Sequence, residues 1–231
     1  MKRWLDGEDV HVTEEQYFRN IWPYRFNGQE SSSLNELALS FAENWEEAKK
    51  HLYRGLVRDF VKQFGEDYAL KCMECEEFDD QDEGLFTLIC ALHQKPPLCW
   101  KGYVFNNLVE LEEVISENLP EINPILKELV SEGILLTYLK QMEVTSLRFY
   151  NEIKRISELA VENRDLAYYR LAYTLSGTKD FLYEGKTFTD VKTFMSYLYG
   201  KKERFHEYAT ELVQNQYFFA WLMQLGYEEH L

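Results

Sequence analysis

At 231 residues the chain is long enough to bury a sizeable core, as one large domain or two small ones. Its 45% hydrophobic and 28% charged residues exclude wholesale disorder, and no apolar run reaches the ~20 residues of a membrane span. A formal net charge of −15 repels phosphate backbones and anionic lipid heads, which disfavours nucleic acid and membrane surfaces as partners.

Residues 1–23 read as a polar lead-in, with a helical turn predicted at Thr13–Tyr17 and extended chain from Ile21 to Phe26 around Pro23. Residues 24–65 form a first unit. Gly28 follows the aromatic stretch Tyr24-Arg25-Phe26-Asn27, and Ser33 with Glu36 has capping-box spacing. Leu34, Leu37, Ala38 and Phe41 then recur at helical spacing. Trp45–Tyr53 predicts a second helix carrying a Glu46–Lys50 pair at i,i+4, with Asn44 and Trp45 as cap and core. Gly55 breaks the chain, and a third helix runs from Leu56 to Phe64 before Gly65 at a C′ position.

Residues 66–97 read as a helical connector. Helices at Asp67–Glu77 and Leu85–His93 flank an acidic turn, Asp79-Asp80-Gln81-Asp82-Glu83-Gly84. Residues 98–142 repeat the first pattern, with Gly102 after Cys99-Trp100-Lys101, a cap at Asn106 or Asn107, breaks at Pro120 and Pro124, and Gly133 in the place of Gly55. Residues 143–180 are a second connector. Its helix Val144–Glu162 aligns Leu147, Tyr150, Ile153 and Ile156, and a helix over Leu166–Leu175 stops at Ser176-Gly177. The third unit, 181–231, opens at Gly185 after Phe181-Leu182-Tyr183-Glu184, takes its cap from Thr189 or Asp190, and ends at Gly226, with Gln216 where Gly55 stood.

The three units share more than a glycine. At six, nine and thirteen residues past it stand Leu34/Leu108/Val191, Leu37/Leu111/Phe194 and Phe41/Ile115/Leu198. Each unit closes on aromatic, aliphatic, any residue, Gln, apolar: Phe60–Phe64, Tyr138–Met142 and Trp221–Leu225. Spacings of 74 and 83 residues exceed those of the common helical repeats. The predicted fold is mainly α, three helical units each opened by a short hairpin at a glycine, with Tyr103–Phe105 and Thr187–Phe188 pairing back on the strands before them.

Chemistry-bearing motifs are sparse. Cys72-Met73-Glu74-Cys75 has zinc or redox spacing, but Cys90 and Cys99 supply no matched second pair and no βαβ context surrounds it, so the four read as buried structural cysteines in a reducing, cytoplasmic setting. Setting Asp79, Gln81 and Glu83 at calcium-loop positions one, three and five leaves Cys90 where a bidentate Glu belongs, which favours a solvated loop. His11, His51, His93, His206 and His230 stand at no catalytic spacing, and Lys49, Lys50, His51, Arg54 and Arg58 read as a salt-bridged helix face beside Glu46, Glu47 and Asp59. The expectation is therefore no catalytic residue, no cofactor and no metal.

The stretches Lys2-Arg3-Trp4-Leu5-Asp6-Gly7-Glu8, Pro23–Gly28 and Ala42–Leu56 resemble the region that follows the catalytic domain in some bacterial serine/threonine kinase-like proteins. The resemblance implies an accessory or regulatory helical module. It implies no kinase activity for these residues, because the chain has no Gly-rich loop, V-A-I-K, H-R-D or D-F-G motif. The functional expectation is a non-catalytic module binding another protein or another domain of its parent chain. Tyr150, Tyr168, Tyr169 and Tyr173, aromatics outside the repeat frame, are its candidate contact residues. The alternative is an enzyme with a site assembled between units.

Overall fold

The computed structural model describes residues 21–142, 146–201 and 204–227, with the backbone alone over 116–123. The helical turn expected at Thr13–Tyr17 lies outside the described residues. The fold is mainly helical, with three antiparallel hairpins: β1 (Tyr24–Phe26) with β2 (Gln29–Ser31), β3 (Leu98–Trp100) with β4 (Tyr103–Phe105), and β5 (Phe181–Tyr183) with β6 (Lys186–Phe188). Registers match, with Phe26 opposite Gln29, Trp100 opposite Tyr103 and Tyr183 opposite Lys186.

Each hairpin turns through two residues of positive φ: Asn27 and Gly28 at 47° and 79°, Lys101 and Gly102 at 49° and 86°, Glu184 and Gly185 at 47° and 72°. Such turns match the right-handed twist of the strands, and glycine alone enters the left-handed region without steric cost. The non-glycine member is tied down by its side chain. Asn27 donates to Asn44 and Glu184 accepts from Lys201, each of these partners being the C-cap of the following helix, while Lys101 pairs with Glu128.

After the first hairpin come α1 (Leu34–Glu43), α2 (Trp45–Tyr53), α3 (Arg58–Lys62), α4 (Glu66–Glu76) and α5 (Gln81–Leu92). The second hairpin leads into α6 (Leu108–Leu126), a π-helical turn at Lys127–Ser131, α7 (Ile134–Gln141), α8 (Leu147–Glu162) and α9 (Arg164–Ser176). The third leads into α10 (Val191–Gly200), α11 (Phe205–Gln214) and α12 (Gln216–Gln224). The helix after each hairpin starts at a side-chain cap: Ser33 in a full capping box with Glu36, Asn107 accepting from Val109 and Glu110, and Asp190 accepting from Thr193.

Matched positions are buried in all three segments. Leu37, Leu111 and Phe194 have no solvent exposure, and Phe60, Tyr138 and Trp221 are buried on the closing helices α3, α7 and α12. The closing helix also reaches the same backbone carbonyl each time, six residues before the turn glycine. Tyr138 Oη donates to Pro96 O at 2.9 Å and Trp221 Nε1 to Lys179 O at 2.7 Å. Phe60 has no donor, and there Gln63 takes over, exchanging hydrogen bonds with both backbone groups of Trp22 at 2.8 and 3.2 Å.

Several expected features differ. The acidic turn is helical: Asp80 caps α5 by accepting from Asp82 and Glu83, whose carboxylates favour the positive end of the helix. Gly84, expected in that loop, is buried inside α5, where a Cβ would stand 2.2 Å from Tyr53 Oη and 2.5 Å from the Cys75 carbonyl. The helix α6 passes through Pro120 and Pro124 and loosens only afterwards, in the π turn before Gly133 at φ 86°. Packing on its flanks outweighs the lost backbone donors.

Glu46 pairs with Lys49 and Glu47 with Lys50 at i,i+3, in place of Glu46 with Lys50, because Lys49 is also drawn to Asp82. Gly65 is extended and precedes α4, so it is no left-handed C′ residue. The third helix of the first segment is shorter than expected, and Leu147 on α8 is exposed while Ile153 and Ile156 are buried.

One buried cluster runs from Phe26 to Ala172 and a second from Tyr173 to Trp221. They meet in α9, which packs on α6, α8 and α12. Helix α5 has the corresponding place earlier in the chain, against α1, α2, α4 and β3. The molecule thus has two joints, one around α5 and one around α9.

Candidate functional site

At the first joint two tryptophans meet edge to face, Trp45 and Trp100, with ring centroids 5.7 Å apart. Each indole N–H donates to a carboxylate from a neighbouring element, Trp45 to Asp82 and Trp100 to Glu128, both at 2.7 Å. Lys49 lies 2.6 Å from Asp82, and Lys101 lies 2.5 Å from Glu128 and 3.8 Å from Asp82. Burial opposes the charge on Asp82, but hydrogen bonds from Lys49 and Trp45 and the charges of Lys49 and Lys101 outweigh it, leaving the pKa below the usual carboxylate value. Every carboxylate here is matched by a cation or an indole, and the network is a structural clamp.

The second joint is different. Asn163 on the α8–α9 turn donates to Gln216 on α12, and Tyr217 stacks on Tyr173 at 5.1 Å. Beside these contacts lies an open cleft of about 450 Å³ between α8, α9, the lead-in to β5 and the end of α12. Arg170 forms its floor, buried, with Nε and Nη2 donating to Glu152 Oε1 at 2.9 and 2.6 Å and Nη1 3.8 Å from Met223 Sδ. Arg148, Arg155 and Lys179 also line the cleft, with Glu152 as its carboxylate among the described residues. Thr174 stands one turn after Arg170, its hydroxyl shielded from solvent and without a hydrogen-bond partner among the described residues.

A third feature is apolar. On α1, Ala38 and Ala42 have no exposure, and α5 packs against that helix. The residues at the same distances from the glycine in the third segment are Met195 and Tyr199 on α10, which are 43% and 66% exposed. With Phe205 of α11 and Lys192 they line a shallow groove. Among the described residues, α10 packs mainly on β6 and α11, and no later helix takes the place that α5 has against α1.

The tyrosines expected as contact residues lie elsewhere. Tyr168 and Tyr173, two of the candidate contact residues, are buried, because α9 is enclosed by three helices, and neither offers a free surface for a partner. Burial pushes both phenols above their ordinary pKa. Tyr169 is half-buried, edge to face with Tyr217 at 5.3 Å, and Tyr150 is half-buried against the first core cluster.

Cys72, Cys75 and Cys99 are buried free thiols and Cys90 is partly so. Burial, the largest cause in each case, raises them, Cys72 and Cys90 to about 12 and Cys75 to about 11, against thiolate chemistry at neutral pH. No group of three or more metal-ligating side chains occurs among the described residues. The basic face carries ion pairs as expected, except that Arg58 pairs with Glu76 rather than Asp59.

Tyr24 Oη meets His51 Nδ1 at 2.6 Å, and His51 Nε2 lies 3.8 Å from Glu47, a line of groups with hydrolase-like composition. Burial pushes Tyr24 up to about 12, the wrong direction for a nucleophile.

Comparison with known proteins finds no matching family, no matching curated protein and no matching solved structure. No helix among the described residues is long and apolar enough to cross a membrane.

Proposed function

We propose that the chain is a non-catalytic binding module built from three equivalent hairpin-led units. In this reading the α10–α11 face of the last unit docks an amphipathic helix from another protein or from another domain of a longer parent chain. The observation that carries it is the contrast between Ala38 and Ala42, buried on α1 against which α5 packs, and Met195 and Tyr199, exposed at the same positions on α10. A helix laid in that place would bury an apolar stripe as α5 does in the first unit. Lys192 beside the groove favours acidic residues on the flank of the incoming helix. The kinase-accessory resemblance of 2–8, 23–28 and 42–56 supports a parent-chain partner.

The alternative, an enzyme with a site between units, has the cleft at the second joint as its natural place. Among the described residues no histidine or cysteine lines that cleft, and the carboxylate of Glu152 is held by Arg170. This lining favours binding over turnover.

The five methionines make a direct test. With methyl-labelled Met, a synthetic helical peptide bearing a Leu/Ile stripe and Glu flanks should shift the Met195 resonance and leave Met73 and Met142 in place. The shift should be lost on Tyr199→Ala with Phe205→Ala, and weakened when the flanks are Lys. Broadening of Met195 with protein concentration alone would assign the face to a second copy of this chain and overturn the reading, as would indifference to every peptide.

A further inference from the structure

We infer that the α10–α11 face takes up a two-helix hairpin from a partner polypeptide, with the second helix of that hairpin antiparallel to α10. The inference rests on the helix-docking reading of this face and names the shape and polarity of what docks there. In both earlier segments the cover is a pair of helices. The first of the pair packs on the closing helix, α4 on α3 and α8 on α7, and the second packs on the opening helix, α5 on α1 and α9 on α6.

The exposed surface of the last segment is wide enough for such a pair. Trp45 opens α2 and Phe205 opens α11; three and seven residues later stand Ala48 and Leu52 in one helix and Tyr208 and Leu212 in the other, all four buried. This register sets Val213 where Tyr53 stands. Trp45 is buried, its indole on Asp82 of α5, and Tyr53 Oη donates to the carbonyls of Cys75 and Phe78 at 3.2 and 3.4 Å, at the end of α4 and just beyond it. Phe205 and Val213 are 40% and 70% exposed. Phe205, Ala209 and Val213 recur at i, i+4 and i+8, so they form one stripe along α11. A second shallow groove, between Ala209 and Val213, follows the one at Met195 and Phe205. A helix over α10 reaches the first groove, and a second helix is needed to cover Val213.

Polarity follows from the ends of α5. The backbone N–H of Gln94, just past α5, donates to Asn35 at 3.3 Å, while Asp82 in its first turn meets Trp45 and Lys49. Helix α5 thus runs antiparallel to α1. In α10 the place of Asn35 is taken by Lys192, a cation where the last carbonyls of a docked helix arrive, which the helix dipole favours. Phe205 and Ala209 take the places of Trp45 and Lys49, so the N-terminal end of the docked helix is apolar where α5 has Asp82. The source is a partner and not a second copy, because α4–α5 and α8–α9 are already seated on their own segments.

The probe is a designed two-helix peptide with Leu/Ile stripes, titrated into the full chain beside each of its helices alone. The hairpin should shift the methyl resonances of both Met195 and Val213 and bind at least about tenfold tighter than the better single helix, because linked elements reinforce one another. The single helix should shift Met195 only. A spin label on the C-terminal end of the second helix should broaden the amide of Lys192, and one on its N-terminal end that of Ala209. Val213→Asp, at an exposed position, should remove the tenfold advantage and leave the affinity of the single helix unchanged. Equal affinity of hairpin and single helix, a still Val213 methyl, or labels that broaden the opposite ends would each overturn the proposal while the helix-docking reading stands. A Met195 resonance indifferent to every probe would sink both.

Discussion

The two joints of this molecule solve the same packing problem differently. At the first, α5 lies against α1, α2 and β3, and every charge nearby is answered: Asp82 by Lys49 and Trp45, Glu128 by Lys101 and Trp100. At the second, α9 lies against α6, α8 and α12 with comparable burial, yet a cleft remains, lined among the described residues by Arg148, Glu152, Arg155, Arg170 and Lys179. The difference lies in how each joint treats polar groups. The first spends its charges on holding neighbouring segments together, and a clamp of that kind has little left for a ligand. The second is closed by aromatic contacts, Tyr217 on Tyr169 and Tyr173, by the buried Arg170–Glu152 pair and by Asn163 on Gln216, with Arg148 and Arg155 left on an open wall.

The largest blow to this contrast should come from Gly84→Ala. The added Cβ meets the Cys75 carbonyl at 2.5 Å, a backbone atom that moves only if α4 and α5 separate. Overpacking of this kind costs on the order of 3 kcal/mol, and the joint loosens as a whole. Thermal unfolding should show a drop of roughly 10 °C for a chain of this size. A midpoint within 2 °C of the parent would mean that the helices are not locked at this contact.

A smaller loss is expected from Asp82→Asn, about 2 kcal/mol near neutral pH, because Lys49 loses its closest partner while the carboxamide keeps the bond to Trp45. The pKa of Asp82 is lowered on folding, so its contribution is fully present above the unfolded-state value of about 4 and disappears as pH falls through the lower folded value. Denaturation midpoints of parent and variant should therefore differ at pH 7 and converge in acid as Asp82 becomes protonated in the folded state. A constant gap across that range would assign the effect to shape rather than charge.

Much of the hairpin-led segments was legible in the sequence, and little of either joint. Hairpins, caps and closing helices follow from local chemistry: a glycine for each left-handed turn, Ser33, Asn107 and Asp190 for the caps, an aromatic followed by Gln at each closure. Gly84 misled because glycine after four acidic residues has the composition of a loop, whereas it is selected here by the approach of Tyr53 and Cys75 from other helices. The tyrosines of α9 misled for a related reason. A helix buried on nearly all sides has no amphipathic pattern, and an aromatic outside the repeat frame looks spare when it is enclosed.

The cleft draws on α8, α9, Lys179 and Met223, which are far apart in sequence, and no motif joins them. Two faint signals pointed there. One is the Arg148–Glu152–Arg155 spacing, and the other is an arginine set within Tyr168-Tyr169-Arg170-Leu171-Ala172-Tyr173, where an unmatched charge has no place.

The smallest effect on stability is expected on the exposed wall of the second joint. Arg148→Ala with Arg155→Ala removes two exposed cations from the wall of the second joint. Arg155 reaches Glu152 only at 3.8 Å and is 69% exposed, and Arg148 has no carboxylate partner among the described residues. Ion pairs this open contribute little, and removing like charges from one wall offsets part of what is lost. The change in unfolding free energy should stay within about 0.5 kcal/mol, below the detection limit of most denaturant titrations.

If the double substitution instead costs as much as Asp82→Asn, its arginines hold the joint together as the first joint's lysines do. The two joints would then differ in residue choice and not in kind.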